Sequence, residues 1–326
     1  MTKFSFRPYR RRFKPPLRTN HGIWDVRDGI IIRLINDSDV GYGEIAPISW
    51  FGSETREQAL DFCHQLPTEI SEEVIFSIPD RLPACQFGFE SAWENINCCR
   101  SVHMYVPTTS LPYSALLPAG KAALSTWQSL QTSGYSTFKW KIGVYPIAEE
   151  LAIFHHLTHV LPEGVKLRLD ANGGLSYDEA NLWLYNCDNI MATGVGVEIE
   201  YIEQPLAVEN LTEMQELSYH YATAIALDES VATLNQLEAC YQQGWREIFV
   251  IKPSIAGSPK RLRKFCQERK IDVVFSSAFE TIVGRQAALK LAAEISINRC
   301  RAVGFGVHHW LEEDEQIWLE QLWQAC

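Results

Sequence analysis

From Pro107 onward the chain repeats one pattern eight times: a short apolar, β-branched run, then a stretch with helical spacing. The runs are PYSALL, STFKWKIG, VKLRLDAN, VEIEYIEQP, TAIALDES, EIFVIKPS, DVVFSSAFE and RAVGFG, separated by roughly 20–30 residues, a normal length for a strand–helix unit of a parallel sheet. Eight such units in about 200 residues fit a closed α/β architecture, a (β/α)7β TIM-type barrel. An open doubly wound sheet is the alternative, but no G-x-G-x-x-G follows any run.

The first hundred residues have a different texture. Apolar runs near Phe4–Tyr9 and Gly29–Ile35 flank the Leu17–Asp28 stretch and precede GYGEIAPI; helical patterns follow at Glu54–Leu66 and Phe87–Arg100. Strands first and helices afterwards imply an α+β module. The expected organisation is an α+β capping domain over residues 1–106 and a barrel over 107–306. The final segment, 307–326, is rich in Trp and acid and is expected to return to the capping domain.

Composition narrows the partners. With 326 residues, 46% of them hydrophobic, the chain can bury a large core. A formal net charge of -11 argues against general attraction to nucleic acid or to an anionic membrane. The 9 Cys are scattered, with no C-x-x-C pair, as expected of buried thiols in a reducing compartment such as the cytoplasm. No apolar run reaches the roughly 20 residues a membrane helix requires. The basic N-terminus, MTKFSFRPYRRRFKPPLRT, has aromatic residues interleaved with polar ones. It reads as an edge strand with an exposed basic face rather than as a transit peptide or an RNA-binding arm.

The decisive feature is where charge enters the apolar runs. Their C-terminal edges carry Lys139 and Lys141, Asp170, Glu203, Asp228, Lys252, and Ser276 with Ser277. In a closed barrel these edges meet at one mouth, where catalytic residues lie in this architecture. Lys139 and Lys141 are two apart and share one strand face; that face is the interior if Phe138, Trp140 and Ile142 point toward the helices. Singly, each acid reads as an N-cap of the next helix, and each lysine as an ion-pair partner. Together, three acids on successive strands would repel one another at a cost of several kcal/mol each, unless a cation sits among them. Three carboxylates without Cys or His make a hard oxygen site, suited to Mg²⁺ and tolerant of Mn²⁺. Such an ion holds a substrate carboxylate and stabilises the charge that develops when the adjacent carbon loses a proton. Lysines on either side of that carbon then serve as base, acid or cation. A base must be neutral, a state that a second ammonium nearby favours, and this gives Lys139 a role beside Lys141.

In that order and at those intervals, KWK, LDAN, EQP, LDES and IKPS resemble the muconate-lactonizing-like subgroup of the enolase superfamily. The resemblance covers essentially the whole chain, with capping loops at Leu17–Asp28 and around Glu44–Thr55. PLRTNHG before RDGIIIRL, GYGEIAPI, TFKWKIG, and SSAFET before GFG are similar to its o-succinylbenzoate synthase family, of the phylloquinone and menaquinone pathway. That resemblance implies a lyase acting on a small-molecule carboxylate, a succinyl-hydroxycyclohexadiene carboxylate, by syn elimination of water through an enediolate. It implies metal ligation by Asp170, Glu203 and Asp228, proton transfer by Lys141, and charge stabilisation by Lys252. Asn172 becomes a contact to the site, Ser276 and Ser277 approach the substrate, and Gly304 and Gly306 permit close backbone approach.

A dipeptide epimerase or N-acylamino acid racemase would use the same lysine pair and is the alternative. The last βα loop has GFGVHHW where dipeptide epimerases carry an aspartate motif, which favours the dehydratase. A non-catalytic barrel is disfavoured, since every catalytic position holds a suitable residue type. His155 and His159 in HHLTH read as helix-surface residues rather than zinc ligands, His308 and His309 as residues near the mouth, and Arg18 and Arg27 as candidates for the anionic end of the substrate.

Overall fold

The computed structural model describes residues 2–19, 22–37, 39–98, 111–194, 196–296, 301–306 and 315–324. Strands β1 (Thr2–Thr19), β2 (Gly22–Asn36), β3 (Asp39–Ile45) and β4 (Glu69–Ile70) form an antiparallel sheet in the order β3-β2-β1-β4. The Leu17–Asp28 stretch, expected as a loop, is instead the outer half of the β1–β2 hairpin. Leu17 pairs with Trp24 and Thr19 with Gly22, after a register shift between Arg12 and Leu17. Pro15 and Pro16 fall in that irregularity, where missing N–H groups do least harm to the ladder. The strand period was hidden in the sequence because the buried row of β1 runs Tyr9, Arg11, Phe13, with an arginine among the aromatics. Arg10, Arg12 and Lys14 alternate with that row and are exposed, the basic strand face that the N-terminus implied.

Helices α1 (Arg56–Gln65), α2 (Glu72–Phe76) and α3 (Pro83–Cys98) complete this unit. Thr55 and Gln58 close a reciprocal capping box at the start of α1. Glu54 lies just before this helix rather than inside it. Its carboxylate accepts from Ala84 N at 3.0 Å and Cys85 N at 2.8 Å, at the first turn of α3. The third helix therefore begins ahead of its apolar pattern. It lies so close to β3 that a side chain on Gly43 would meet the Gly88 carbonyl at 1.9 Å, and one on Gly41 the Ala92 carbonyl at 2.1 Å. That contact accounts for the G-Y-G spacing.

The second sheet is parallel, with β5 (Ser114–Leu117), β6 (Thr137–Lys141), β7 (Lys166–Asp170), β8 (Glu198–Glu203), β9 (Ile225–Leu227), β10 (Ile248–Ile251) and β11 (Asp272–Phe275) adjacent in chain order. The eighth run closes it through two short bridges, Tyr113 to Val303 and Ser276 to Gly304. Helices α4 (Ala123–Thr132), α5 (Ile147–Val160), α6 (Tyr177–Ala192), α7 (Leu211–His220), α8 (Leu234–Gln242), α9 (Pro253–Ala256), α10 (Pro259–Arg269) and α11 (Ile282–Ile295) surround this curled sheet. Phe138, Trp140 and Ile142 are fully buried in the main core; Trp140 and Phe154 pack edge-on against Trp183. The opposite strand faces stack inward in layers. Tyr201, Ala226, Ile248, Val250 and Val274 form a separate inner cluster. Below it, Arg168 donates to Glu200 at 2.6 Å, while Arg301 binds Glu200 at 2.5 Å and Asp272 at 2.8 Å. This ionic floor was not foreseen.

The expected domain boundary at 106/107 and residues 307–314, with His308 and His309, lie outside the described residues. Helix α12 (Glu315–Gln324) lies against β1: Trp318 packs edge-on to Tyr9, and the Arg11 guanidinium sits 4.6 Å from the Trp318 ring centre. His155 and His159 lie on the exposed face of α5, where His155 pairs with Asn186.

Candidate active site

Parallel pairing places the charged strand ends side by side. Lys141 stands opposite Asp170, and Asp170 opposite Glu203, in direct register. Glu203 stands opposite Ala226, two residues before Asp228. One ammonium shows how tightly these groups converge: Lys139 Nζ lies 2.8 Å from Asp170 Oδ2 and 2.7 Å from Glu203 Oε1. Lys252, just beyond β10, donates to Asp228 Oδ1.

The electrostatics follow from burial and crowding. Burial pushes the Glu203 carboxyl up to about 8; Lys139 and Lys252 oppose that push, and Asp170 and Asp228 add to it. Asp228 is raised by burial as well, against the pull of Lys252. Burial alone would depress Lys139, but Asp170, then Glu203 and Asp228, hold its ammonium well above the usual lysine range. The structure thus keeps Lys139 as a cation bound to two acids.

Two residues that sequence reasoning passed over fix these acids. Gln204, in a left-handed backbone conformation, accepts from Asp228 N at 3.1 Å and Ser230 N at 3.2 Å, and donates to Ser230 Oγ at 2.8 Å. It ties the end of β8 to the turn that carries Asp228. Glu229 is a fourth acid at the mouth. Its carboxyl is raised by burial and by Asp170, and it accepts from Asn172 Nδ2 at 3.2 Å. Asn172 also donates its backbone N–H to Asp170 Oδ1 at 3.0 Å. The sequence signals are the Gln of EQP and the second acid of LDES, each adjacent to a carboxylate of the mouth.

The remaining candidates have defined places. Ser276 directly follows β11 and forms the bridge to Gly304. A side chain on Gly304 would meet Ser276 Oγ at 2.8 Å, so the close approach at this glycine is between strands. Ser277 Oγ accepts from Phe279 N at 2.9 Å, within its own loop. Arg27 is buried in the capping unit: it donates to Pro47 O at 3.0 Å, Phe279 O at 3.2 Å and Ala46 O. With a fourth bond to Asp28 O, most of its donors go to backbone carbonyls, so it pins two loops together. The Arg18 side chain lies outside the described residues. Leu116, in register with Lys139, is 43% exposed, and Val144, Tyr145 and Trp50 are also exposed apolar residues. Leu116 lies within β5, and Val144 and Tyr145 follow the C-terminal end of β6.

Among the described residues, no three His, Cys, Asp or Glu side chains close into a ready metal cage as they stand. The donor set nevertheless fits a hard divalent cation. Asp170 and Glu203 are within hydrogen-bonding distance of the single Lys139 ammonium. Asp228 is near enough to raise the Glu203 carboxyl. Three buried carboxylates with oxygen ligands only suit Mg²⁺.

Comparison with known proteins gives the family. Residues 122–321 match the family model "Enolase C-terminal domain-like", and residues 17–96 match "MenC, N-terminal domain". An o-succinylbenzoate synthase of Thermosynechococcus vestitus is 40% identical over 313 residues, covering 94% of this chain and 93% of the relative. The chain belongs to the o-succinylbenzoate synthase family of the enolase superfamily. An o-succinylbenzoate synthase structure from Thermosynechococcus elongatus, complexed with Mg in the active site, superposes with a TM-score of 0.89 at 37% identity, over 99% of this chain and all of that one. The L-Ala-D/L-Glu epimerase of Bacillus subtilis has the same fold, with a TM-score of 0.74 at 21% identity, over 96% of this chain and 91% of that one. The enolase-superfamily fold, a parallel barrel beneath an antiparallel capping sheet, is therefore shared across members of different activity. Membership in the synthase family rests on the closer identity.

Proposed function

We propose that this member of the family is a magnesium-dependent lyase that dehydrates a succinyl-hydroxycyclohexadiene carboxylate to o-succinylbenzoate, in menaquinone or phylloquinone synthesis. The observation that carries the reading is the convergence of Asp170 and Glu203 on one ammonium, with Asp228 beside them and Lys141 and Lys252 at the flanks.

Asp170, Glu203 and Asp228 hold the metal, which when bound supplies Lewis-acid stabilisation to the substrate carboxylate. Lys141 takes the proton from the carbon next to that carboxylate and returns it to the leaving hydroxyl, so that water departs from the same face and the ring becomes aromatic. Lys252 stays on the opposite side as a cation facing the enediolate. Lys139 keeps Asp170 and Glu203 together, and Asn172 and Gln204 orient Asp170 and Asp228. Ser276 faces the succinyl end. The substrate ring lies against Leu116 and its apolar neighbours.

The compartment we propose is the cytoplasm. Cys63, Cys85, Cys187, Cys240 and Cys266 are free and buried, and no described helix is long and apolar enough to cross a membrane.

The test is to incubate the enzyme and Mg²⁺ with the synthetic cyclohexadiene and follow aromatic absorbance. Growth of that absorbance supports the lyase. Its absence, together with deuterium uptake from D₂O into N-acylamino acids or dipeptides, would replace the lyase with the racemase or epimerase.

A further inference from the structure

Phe51 belongs to the capping unit, yet it touches the catalytic machinery. Lys252 Nζ lies 4.0 Å from the centre of the Phe51 ring, within cation–π range. The same ammonium donates to Asp228.

The segment carrying Phe51 is held firmly. Ser49–Phe51 form a single 3-10 turn, in which Phe51 N donates to Ile48 O at 3.0 Å and Ile48 N donates to Ser53 Oγ at 2.7 Å. Trp50 packs edge-on to Trp24 of β2 at 5.6 Å. Gly52 adopts a φ of 128°, and a side chain there would meet Ala232, beyond β9, at 3.1 Å. The turn is thus seated against the barrel on one side and the hairpin on the other.

We infer that Phe51 is a positioning residue for Lys252: its ring and the Asp228 carboxylate together fix the ammonium that faces the reacting substrate. The inference rests on the role proposed above for Lys252. A lysine has a flexible four-carbon stem, and a single contact to Asp228 leaves its ammonium free to swing. A second contact restricts it. An aromatic face attracts the cation without a lone pair that would compete with the substrate, and it excludes water from that side. An ammonium placed beforehand needs no reorganisation as negative charge develops, so the benefit appears in the transition state.

Two readouts test this. In kinetics, Phe51→Leu keeps an apolar side chain and removes the π face, whereas Phe51→Tyr retains it. The expected result is a kcat lowered about ten-fold by leucine with KM within about two-fold, and near-complete rescue by tyrosine. Phe51→Met repeats the comparison if leucine disturbs the turn. A raised KM with unchanged kcat in the ring-free variants would make Phe51 an apolar wall for substrate and overturn the inference. Equal losses in the tyrosine and leucine variants would overturn it too.

The second readout does not depend on turnover. In isotope-labelled, metal-free protein, the Lys252 ε-methylene protons should resonate upfield from ring-current shielding. That shift should persist in Phe51→Tyr and vanish in Phe51→Leu. No upfield shift in the unaltered protein overturns the inference whatever the activity. Failure of the unaltered enzyme to form an aromatic product would instead count against the dehydratase reading.

Discussion

Glu44 of the capping sheet and Thr281 of the barrel are joined by hydrogen bonds in which Thr281 N donates at 3.0 Å and Thr281 Oγ1 at 2.5 Å to the Glu44 carboxylate. Gly284 N, one turn into α11, donates to the same group at 2.9 Å, and Tyr9 OH donates from β1 at 2.5 Å. A fully buried acid from one unit thereby satisfies the open N–H groups at the start of a helix in the other. The helix follows the SSAFET loop, so this contact holds two motif segments in fixed relation.

Glu44→Ala should therefore cost about 2–4 kcal/mol of stability, since it leaves several buried donors without an acceptor. Glu44→Gln should cost less, because one carboxamide oxygen still accepts. Urea denaturation of the three proteins measures both effects. A loss in the alanine variant no larger than an ordinary surface substitution would refute the clamp.

Lys141→Ala should lower turnover by about 10²–10⁴, the range for removing a general acid–base group. Mg²⁺ affinity should stay within a few-fold, because Lys141 is not among the metal's carboxylates. Calorimetry and the absorbance assay read the two separately. Retained turnover would rule out Lys141 as the base.

Lys139→Met removes the ammonium that joins Asp170 and Glu203. Breaking such a buried pair typically costs about 3–5 kcal/mol. The metal-free variant should melt well below the unaltered enzyme, and Mg²⁺ should stabilise it by a larger margin, as a substitute cation among the same acids. An unchanged melting temperature without metal would show that the ion bridge does not hold the mouth together.

Glu200 supplies a pH signature. Burial raises its carboxyl, but Arg168 and then Arg301 overcome burial and leave it below the usual glutamate value. A group depressed on folding contributes stability that is complete above its unfolded pKa and is lost as pH falls through its folded value. The stability difference between the unaltered enzyme and Glu200→Gln should hence be largest at neutral pH and shrink below about pH 4.3. A difference that stays constant from pH 7 to pH 3 would contradict this.

Much of the fold was legible because βα units are written locally. Apolar runs such as IFVI and VVF bury both faces, and their spacing reveals the parallel sheet. The first hairpin was less legible. Arg11 occupies a buried position between Tyr9 and Phe13, where Glu315 and Trp318 of α12 receive it, so polarity misled the period. The eighth strand also escaped in detail, since closing the barrel requires only the bridges at Val303 and Gly304.

At the mouth, strand alternation was enough to place Lys139, Lys141, Asp170, Glu203, Asp228 and Lys252 at neighbouring strand ends, because adjacent parallel strands bring their C-terminal ends together whatever the loops do. Alternation could not say that Lys139 would join Asp170 to Glu203, that Gln204 would anchor Asp228, or that Arg27 would spend its donors on carbonyls at Ala46, Pro47 and Phe279.

The order of strands and helices and the inward residue types were therefore determined by the amino-acid sequence itself, through side-chain periods of about two and 3.6 residues. The grip of Glu44 on Thr281, 237 positions away, and the seating of Phe51 on Lys252 were decided only by the tertiary structure. Local patterning specifies which face of each element is buried. Which distant side chain meets that face depends on how the two units pack, and no short window of sequence contains both partners.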